Sequence, residues 1–211
     1  MKKRLFSVFY MFLITLLFTS VVSAVKLLNE DRIERNEKLK LQKIILRVLD
    51  IPVKKKRTDR DLVQLFETRV KPIQVGDKTL YVGYKEDGKT IAGYAFPVGG
   101  PGFWGPIYGI VAVDPKATKI IGIAFYKHSE TPGLGARIGE KWFTDQFKGL
   151  RLYPIEGGKK IFYLRPEGLG KNPNELDAIT GATGTSRAVE AFLNQDLDYL
   201  LKKLWKSVKK S

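Results

Sequence analysis

Cysteine is absent from this chain of 211 residues, and histidine occurs once, as His128. The first absence excludes disulfides, Cys-ligated iron–sulfur clusters and a thiol nucleophile. The second argues against a zinc or haem site, which draws on several nitrogen or sulfur ligands. No metal site is expected, and any electron chemistry must come from an organic cofactor or from a partner's metal. Acidic residues are also in deficit: 22 Asp and Glu face 37 Lys and Arg, a formal net charge of +15. Such an excess points to anionic partners. The cations are spread along the chain and fall in no nucleic-acid-binding motif, so membrane lipid is the expected partner and nucleic acid is not. An apolar fraction of 44% is ordinary for a folded domain.

Charge is missing altogether from residues 5–25, which follow Met1-Lys2-Lys3-Arg4. That run is long enough to cross a hydrocarbon core of roughly 30 Å. The small residues Val22-Ser23-Ala24 also suit a signal-peptidase site, but the run exceeds the usual signal-peptide core of about 7–15 residues. An uncleaved, single-pass anchor is the expectation, with residues 1–25 as cytoplasmic N-terminus and membrane span. Lys26, Arg32, Arg35, Lys38 and Lys40 follow the run, so Lys and Arg counts alone leave the orientation open. The expected arrangement has the N-terminus in the cytoplasm and the following domain outside it.

Residues 26–72 read as a juxtamembrane helical segment. Leu28, Ile33, Leu41, Ile44, Ile45, Val48 and Leu49 recur at loosely helical spacing until Pro52, and 53–57 is a basic loop. Thr58 with Asp61 resembles a capped helix start. Strands follow Pro72. Residues 79–85 and 90–96 flank Glu86-Asp87-Gly88-Lys89, a hairpin signal, and 107–113 with 119–126 form a second pair around Asp114-Pro115. A helix is expected over 136–147, a strand over 159–164, and an amphipathic helix from Ser186 onward. Strands in the middle with helices segregated to the ends imply an α+β fold.

The most informative stretch is Asp177-Ala178-Ile179-Thr180-Gly181-Ala182-Thr183-Gly184-Thr185-Ser186-Arg187, small and hydroxyl residues entering a helix. Unpaired N–H groups at a helix start attract phosphate. The small residues permit close approach, the hydroxyls donate or esterify, and Arg187 can add a charge-assisted bond. Equally, Thr185 or Ser186 can be a plain N-cap on a tight turn. Two further segments stand out. In 128–137, Glu130-Thr131-Pro132-Gly133-Leu134-Gly135 is a rigid turn suited to main-chain contact with a flat ligand, or simply a strand-to-helix turn with an exposed Glu. In 99–109, Trp104 sits among glycines, either as a wall for a planar group or as a loop anchor.

Asp177-x-x-Thr180-Gly181-Ala182-Thr183 resembles the flavinylation motif of the FMN-binding subunits of the Rnf complex and of the Na⁺-translocating NADH:quinone reductase. The other two segments resemble, in order, the family's ring-contacting loop and its Trp-bearing Gly-rich loop. The resemblance implies an FMN-binding domain over 73–211, with FMN covalently joined through its phosphate to Thr183 by a flavin transferase. Asp177, Thr180, Gly181, Ala182, Thr185, Ser186, Glu130, Thr131, Gly133, Leu134, Gly135 and Trp104 are the implied cofactor contacts, with Asp177 the carboxylate beside the acceptor Thr. Lys127, Arg137 and Arg187 are candidates for positive charge near the flavin. Chain length favours an electron-carrying Rnf-type subunit working with other integral membrane subunits in a cell inner membrane. Ferredoxin:NAD⁺ electron transfer would there be coupled to Na⁺ or H⁺ movement. The alternatives are the NqrC-type subunit of the quinone reductase, a stand-alone flavin reductase, or a basic membrane-surface module without redox function.

Overall fold

The structure, a computed structural model, describes residues 2–53, 58–152 and 160–208; most of the basic run 53–57 and Lys159 lie outside them. The chain divides into two compact units, Met1–Leu41 and Gln42–Ser211. Helix α1 (Lys2–Val48) is continuous, so the expected apolar span and the helical segment after it form one element. Its side chains from Leu5 to Leu28 are largely exposed, and it is long and apolar enough to cross a membrane.

The second unit is an α+β fold. After Thr58, whose capping box with Asp61 is formed, come α2 (Asp59–Arg69) and five antiparallel strands. These are β1 (Val70–Val75), β2 (Lys78–Tyr84), β3 (Ile91–Pro101), β4 (Pro106–Val113) and β5 (Ile120–Lys127), joined in sequence order. Both expected hairpins are present. Asp87 closes the first by accepting from the N–H groups of Lys89 and Thr90, both at 2.9 Å. β1 was not foreseen. It is an edge strand whose Pro72 removes a donor on the solvent side.

The two faces of the sheet are packed differently. Phe96, Val98, Ile107, Val111, Ile123 and Phe125 form the main core with Phe143, Phe147, Phe162 and the last helix. On the other face small residues let the end of α1 and the turn after it approach. A Cβ on Gly122 would lie 2.9 Å from the Val48 carbonyl oxygen. Ile45, Leu46, Val48 and Leu49 are buried, and the compact unit accordingly begins at Gln42.

The helix expected over 136–147 is broken in two. A 3-10 segment, Gly135–Gly139, is followed by α3 (Lys141–Asp145), with Glu140 extended between them. Ile138, Phe143 and Phe147 still reach the core, but Trp142 is 38% exposed. A short parallel pair, β6 (Tyr163–Arg165) and β7 (Glu175–Asp177), then leads to α4 (Thr183–Val208). α4 starts three residues before the expected Ser186. It lies on β3, fixed by polar ties at its middle. Asn194 Oδ1 accepts from the Ile161 and Phe162 N–H groups (2.7 and 3.2 Å), and Glu190 from that of Leu164 (2.7 Å). Asp196 accepts from the Gly99 N–H (2.9 Å) and pairs with Lys78.

A Cβ on Gly100 would fall 2.4 Å from the Cβ of Phe192. Gly100→Ala must therefore lift α4 from β3. We expect a loss of about 1–3 kcal/mol in urea unfolding of the full chain in detergent, with little change for Gly88→Ala in the exposed hairpin turn beyond its own positive-φ cost.

Candidate functional site

The three segments singled out in the sequence meet at the first turn of α4. Approaching it, Asp177 ends β7, and Gln146 holds its backbone on both sides. The Asp177 N–H donates to Oε1 (2.7 Å) and Nε2 donates to the Asp177 carbonyl (3.3 Å). The Ile179 N–H donates to Ser186 Oγ (3.0 Å), the Ala182 N–H to the Ile179 carbonyl, and the Ser186 N–H to the Ala182 carbonyl. Gly181 takes a φ of +78° within this turn. The helix thus opens at Thr183 rather than at a Thr185 or Ser186 cap, and its first N–H groups have no acceptor within the helix. Thr183 and Gly184 are exposed while Thr185 and Ser186 are buried.

Thr183 faces an open cleft of about 460 Å³. Thr180, Gly181, Ser186 and Arg187 share one wall with it, and Arg165 and Glu167 stand on another. Thr180 Oγ1 donates to Glu167 (2.9 Å). Arg165 is engaged by Glu175 (3.1 Å), and Glu190 by Lys160. Arg187 has no acidic partner among the described residues. Spacing explains its place: Thr183 and Arg187 are one helical turn apart and so lie on the same face.

Beyond the turn lie the other two segments. Glu130, expected to be exposed if the loop were only a turn, is 4% exposed. Its Oε1 accepts from the N–H groups of Phe103 (2.8 Å) and Trp104 (3.2 Å), and its Oε2 from the Thr185 hydroxyl (2.6 Å). Gly135 makes room for this contact, since a Cβ there would lie 2.4 Å from Thr185 Oγ1. The Thr131 carbonyl accepts from Leu134 and Ala136, and Gly133 has a φ of +75°. Leu134 comes beside Gly181, and Phe103 packs over Gly184, where a Cβ would meet its ring at 2.4 Å. Phe103 and Trp104 contact edge-to-face at 5.3 Å, and both are more than 60% exposed.

Some expected members are placed elsewhere. The Asp177 carboxylate does not line the Thr183 cleft; it accepts from the Gly168 N–H (2.9 Å) and holds the loop between β6 and β7. Arg137 is paired with Glu140 and stacked on Trp142, and Lys127 lies over the Tyr108 ring. Of the three candidate cations, Arg187 lines the cleft. His128 is half-buried, and its Nδ1 has no hydrogen-bond partner among the described residues. Arg165, Glu167 and Gln146 were not foreseen and left no signal in the sequence, whereas Phe103 stood beside Trp104 in the aromatic, Gly-rich segment already singled out.

Residues 102–198 match the FMN-binding domain family. That stretch takes in the Phe103–Trp104 turn, the Glu130 loop and the first turn of α4, so the similarity falls on the three segments of the site. The NqrC subunit of the Na⁺-translocating NADH-quinone reductase from Neisseria meningitidis serogroup B is 34% identical over 134 residues, covering 64% of this chain and 49% of the relative. Its Yersinia pestis counterpart is 34% identical over 108 residues, covering 51% and 41%. The chain thus spans less than half the length of these relatives. The fold agrees with the crystal structure of Shewanella oneidensis NqrC, with a TM-score of 0.71 at 22% identity over 84% of this chain and 98% of that one. It also agrees with the equivalent protein from Parabacteroides distasonis, with a TM-score of 0.67 at 26% identity over 81% and 94%. The chain is an NqrC-like protein with an FMN-binding domain.

The left-handed backbone at Gly181 brings Thr183 out of the turn. Gly181→Ala puts a Cβ into this conformation and 3.1 Å from Leu134 Cδ2. We expect a cost of about 1–2 kcal/mol in unfolding free energy, larger than for Ala191→Gly on the exposed side of α4.

Proposed function

We propose that this protein is an electron-relay subunit that holds FMN through a phosphoester to Thr183. The observation that carries the reading is an exposed hydroxyl on the first turn of a helix, with the cation Arg187 on one side and exposed apolar side chains on the other. FMN has the same two ends: an anionic phosphate and a flat, largely apolar ring system. The free N–H groups of the turn, Thr180, Ser186 and Arg187 suit the phosphate. Leu134, Phe103 and Trp104 suit the ring. The glycines at 181 and 184 leave the approach to Thr183 unobstructed.

Bound FMN supplies the capacity to take up one or two electrons; the chain supplies position and electrostatics. A Thr hydroxyl is a weak nucleophile, and no carboxylate or imidazole among the described residues bonds to this one, so a flavin transferase must supply the base. In that transfer Thr183 Oγ bonds to the phosphorus of the FMN half of FAD, its proton passes to the transferase's base, and the bond to AMP breaks. Asp177 serves the reaction indirectly, by holding the loop that forms the opposite wall of the cleft.

The relatives support a Na⁺-translocating NADH-quinone reductase over the Rnf-type complex that chain length favoured. On this reading α1 anchors the protein in the cell membrane, the FMN domain is extracytoplasmic, and other integral membrane subunits are its partners.

Intact-mass measurement after co-expression with a flavin transferase tests the attachment. We expect a gain of one FMN in the parent chain and in Thr183→Ser, and none in Thr183→Val, which keeps the shape and loses the oxygen. Flavin in the Val variant at the parent level moves the site elsewhere. A parent chain without flavin favours a basic membrane-surface module. Loss of the Arg187 charge should slow attachment without changing its site: Arg187→Gln is expected to lower the initial rate by about tenfold or more.

A further inference from the structure

We infer that Glu130 is the positioning residue of the flavin ring site: its buried carboxylate latches the Phe103–Trp104 loop onto the first turn of the attachment helix. The inference rests on the FMN reading above and assigns a residue that orders the ring side of that same site. Three donors converge on the carboxylate, two from the loop backbone and one from the Thr185 side chain. No ion pair links it to a cation among the described residues. It joins β5's exit loop, the Gly-rich loop and α4, which are far apart in sequence.

What the latch holds explains why it is needed. Phe103 and Trp104 are 63% and 65% exposed. Their rings rest on each other and, through Phe103, on bare Gly184, so little apolar burial fixes them. A narrow turn carries both, closed by the Gly102 N–H donating to the Gly105 carbonyl (2.9 Å). The orientation of that turn over α4 is then set by its two N–H bonds to Glu130. Space has been cleared for those bonds, because a Cβ on Gly102 would lie 2.5 Å from Glu130 Oε1 and one on Gly135 2.7 Å from Oε2. A carboxylate suits the place because it offers acceptors on both sides at once. Cutting the tie at Thr185 leaves the contact of Phe103 with Gly184 as the loop's remaining described hold on the helix, with Thr183 and its cleft in place.

The test compares Glu130→Ala, Glu130→Gln and Thr185→Val in the full chain, each with and without flavin. Glu130→Gln keeps the latch: its carbonyl accepts from the loop, and its amide donates to the Thr185 oxygen. In flavin-loaded protein we expect the FMN mass in all three variants. The flavin absorption band should shift and its emission rise in Glu130→Ala and Thr185→Val, while Glu130→Gln stays at the parent spectrum. In flavin-free protein with Trp142 and Trp205 replaced by Phe, acrylamide quenching of Trp104 should rise by about twofold in the same two variants, as a loosened loop requires. Unchanged flavin spectra together with unchanged Trp104 quenching in Thr185→Val overturn the latch. Thr185→Val decides the matter even where Glu130→Ala does not fold. A parent chain that carries no flavin defeats the FMN reading alone, since Trp104 quenching still tests the latch.

Discussion

The seating of α4 on β3 is the contact from which the rest of the site follows. Phe192 sits where Gly100 offers no side chain, and Asn194, Glu190 and Asp196 fasten the helix to neighbouring backbone N–H groups. A helix pinned this way cannot slide or rotate by part of a turn without breaking several partly buried bonds, each costly to leave unpaired. Its first turn lies about two and a half turns upstream of Phe192, and so Thr183 is placed by a rigid element rather than by a loop. Sites carried on such elements hold their geometry better than sites carried on flexible segments. The same seating brings Thr185 to Glu130, and through it the remaining two segments of the site.

The turn divides polar from apolar surroundings. On one side are Arg187, Thr180 and Glu167; on the other are Leu134, Phe103 and Trp104. Both sides are open to solvent, and this bears on the need for a covalent bond. Small-molecule sites that retain a ligand by contact alone bury most of its surface, commonly about 70–90%. An exposed hydroxyl beside exposed rings does not offer that enclosure. On the proposed reading the ester retains the cofactor, and the surrounding groups have only to orient it. On the same reading an open site also leaves the ring's surroundings accessible to another protein, as a relay would require.

Much of this arrangement was legible in the sequence, for identifiable reasons. The two hairpins followed from Asp87-Gly88 and Asp114-Pro115, where turn chemistry is local. The terminal helix followed from the 3.6-residue recurrence of Val189, Phe192, Leu193, Leu197 and Leu200, all buried. The stretch 177–187 stood out because its small and hydroxyl residues are contiguous. Long-range ties were not. Nothing near Gln146 announces that it brackets the backbone of Asp177, thirty-one residues away. Nothing in the Glu130 loop shows that its carboxylate is buried rather than exposed. β1 escaped because an edge strand with one buried residue, Val70, and a proline has no alternation to read. The helix over 136–147 kept its apolar spacing across a break at Glu140, because the core fixes where side chains go and not which helix type delivers them.

Placement also changes the electrostatic reading. Positive charge beside a flavin favours its reduced, anionic forms, and the sequence offered Lys127, Arg137 and Arg187 for this. In the structure Arg137 is neutralised by Glu140, and Lys127 is drawn to Tyr108. Arg187 lies in the Thr183 cleft, where on the proposed reading its charge would offset that of the phosphoester. The ionisable group fixed under the aromatic loop is an acid, Glu130. Its three hydrogen bonds come from uncharged donors, two backbone N–H groups and a hydroxyl. On the proposed reading no dedicated cation stands at the ring among the described residues, and these do little to stabilise added negative charge there. Stabilisation of a reduced ring must then come from its ordered contacts, from solvent, or from a cationic surface on the protein that docks against it.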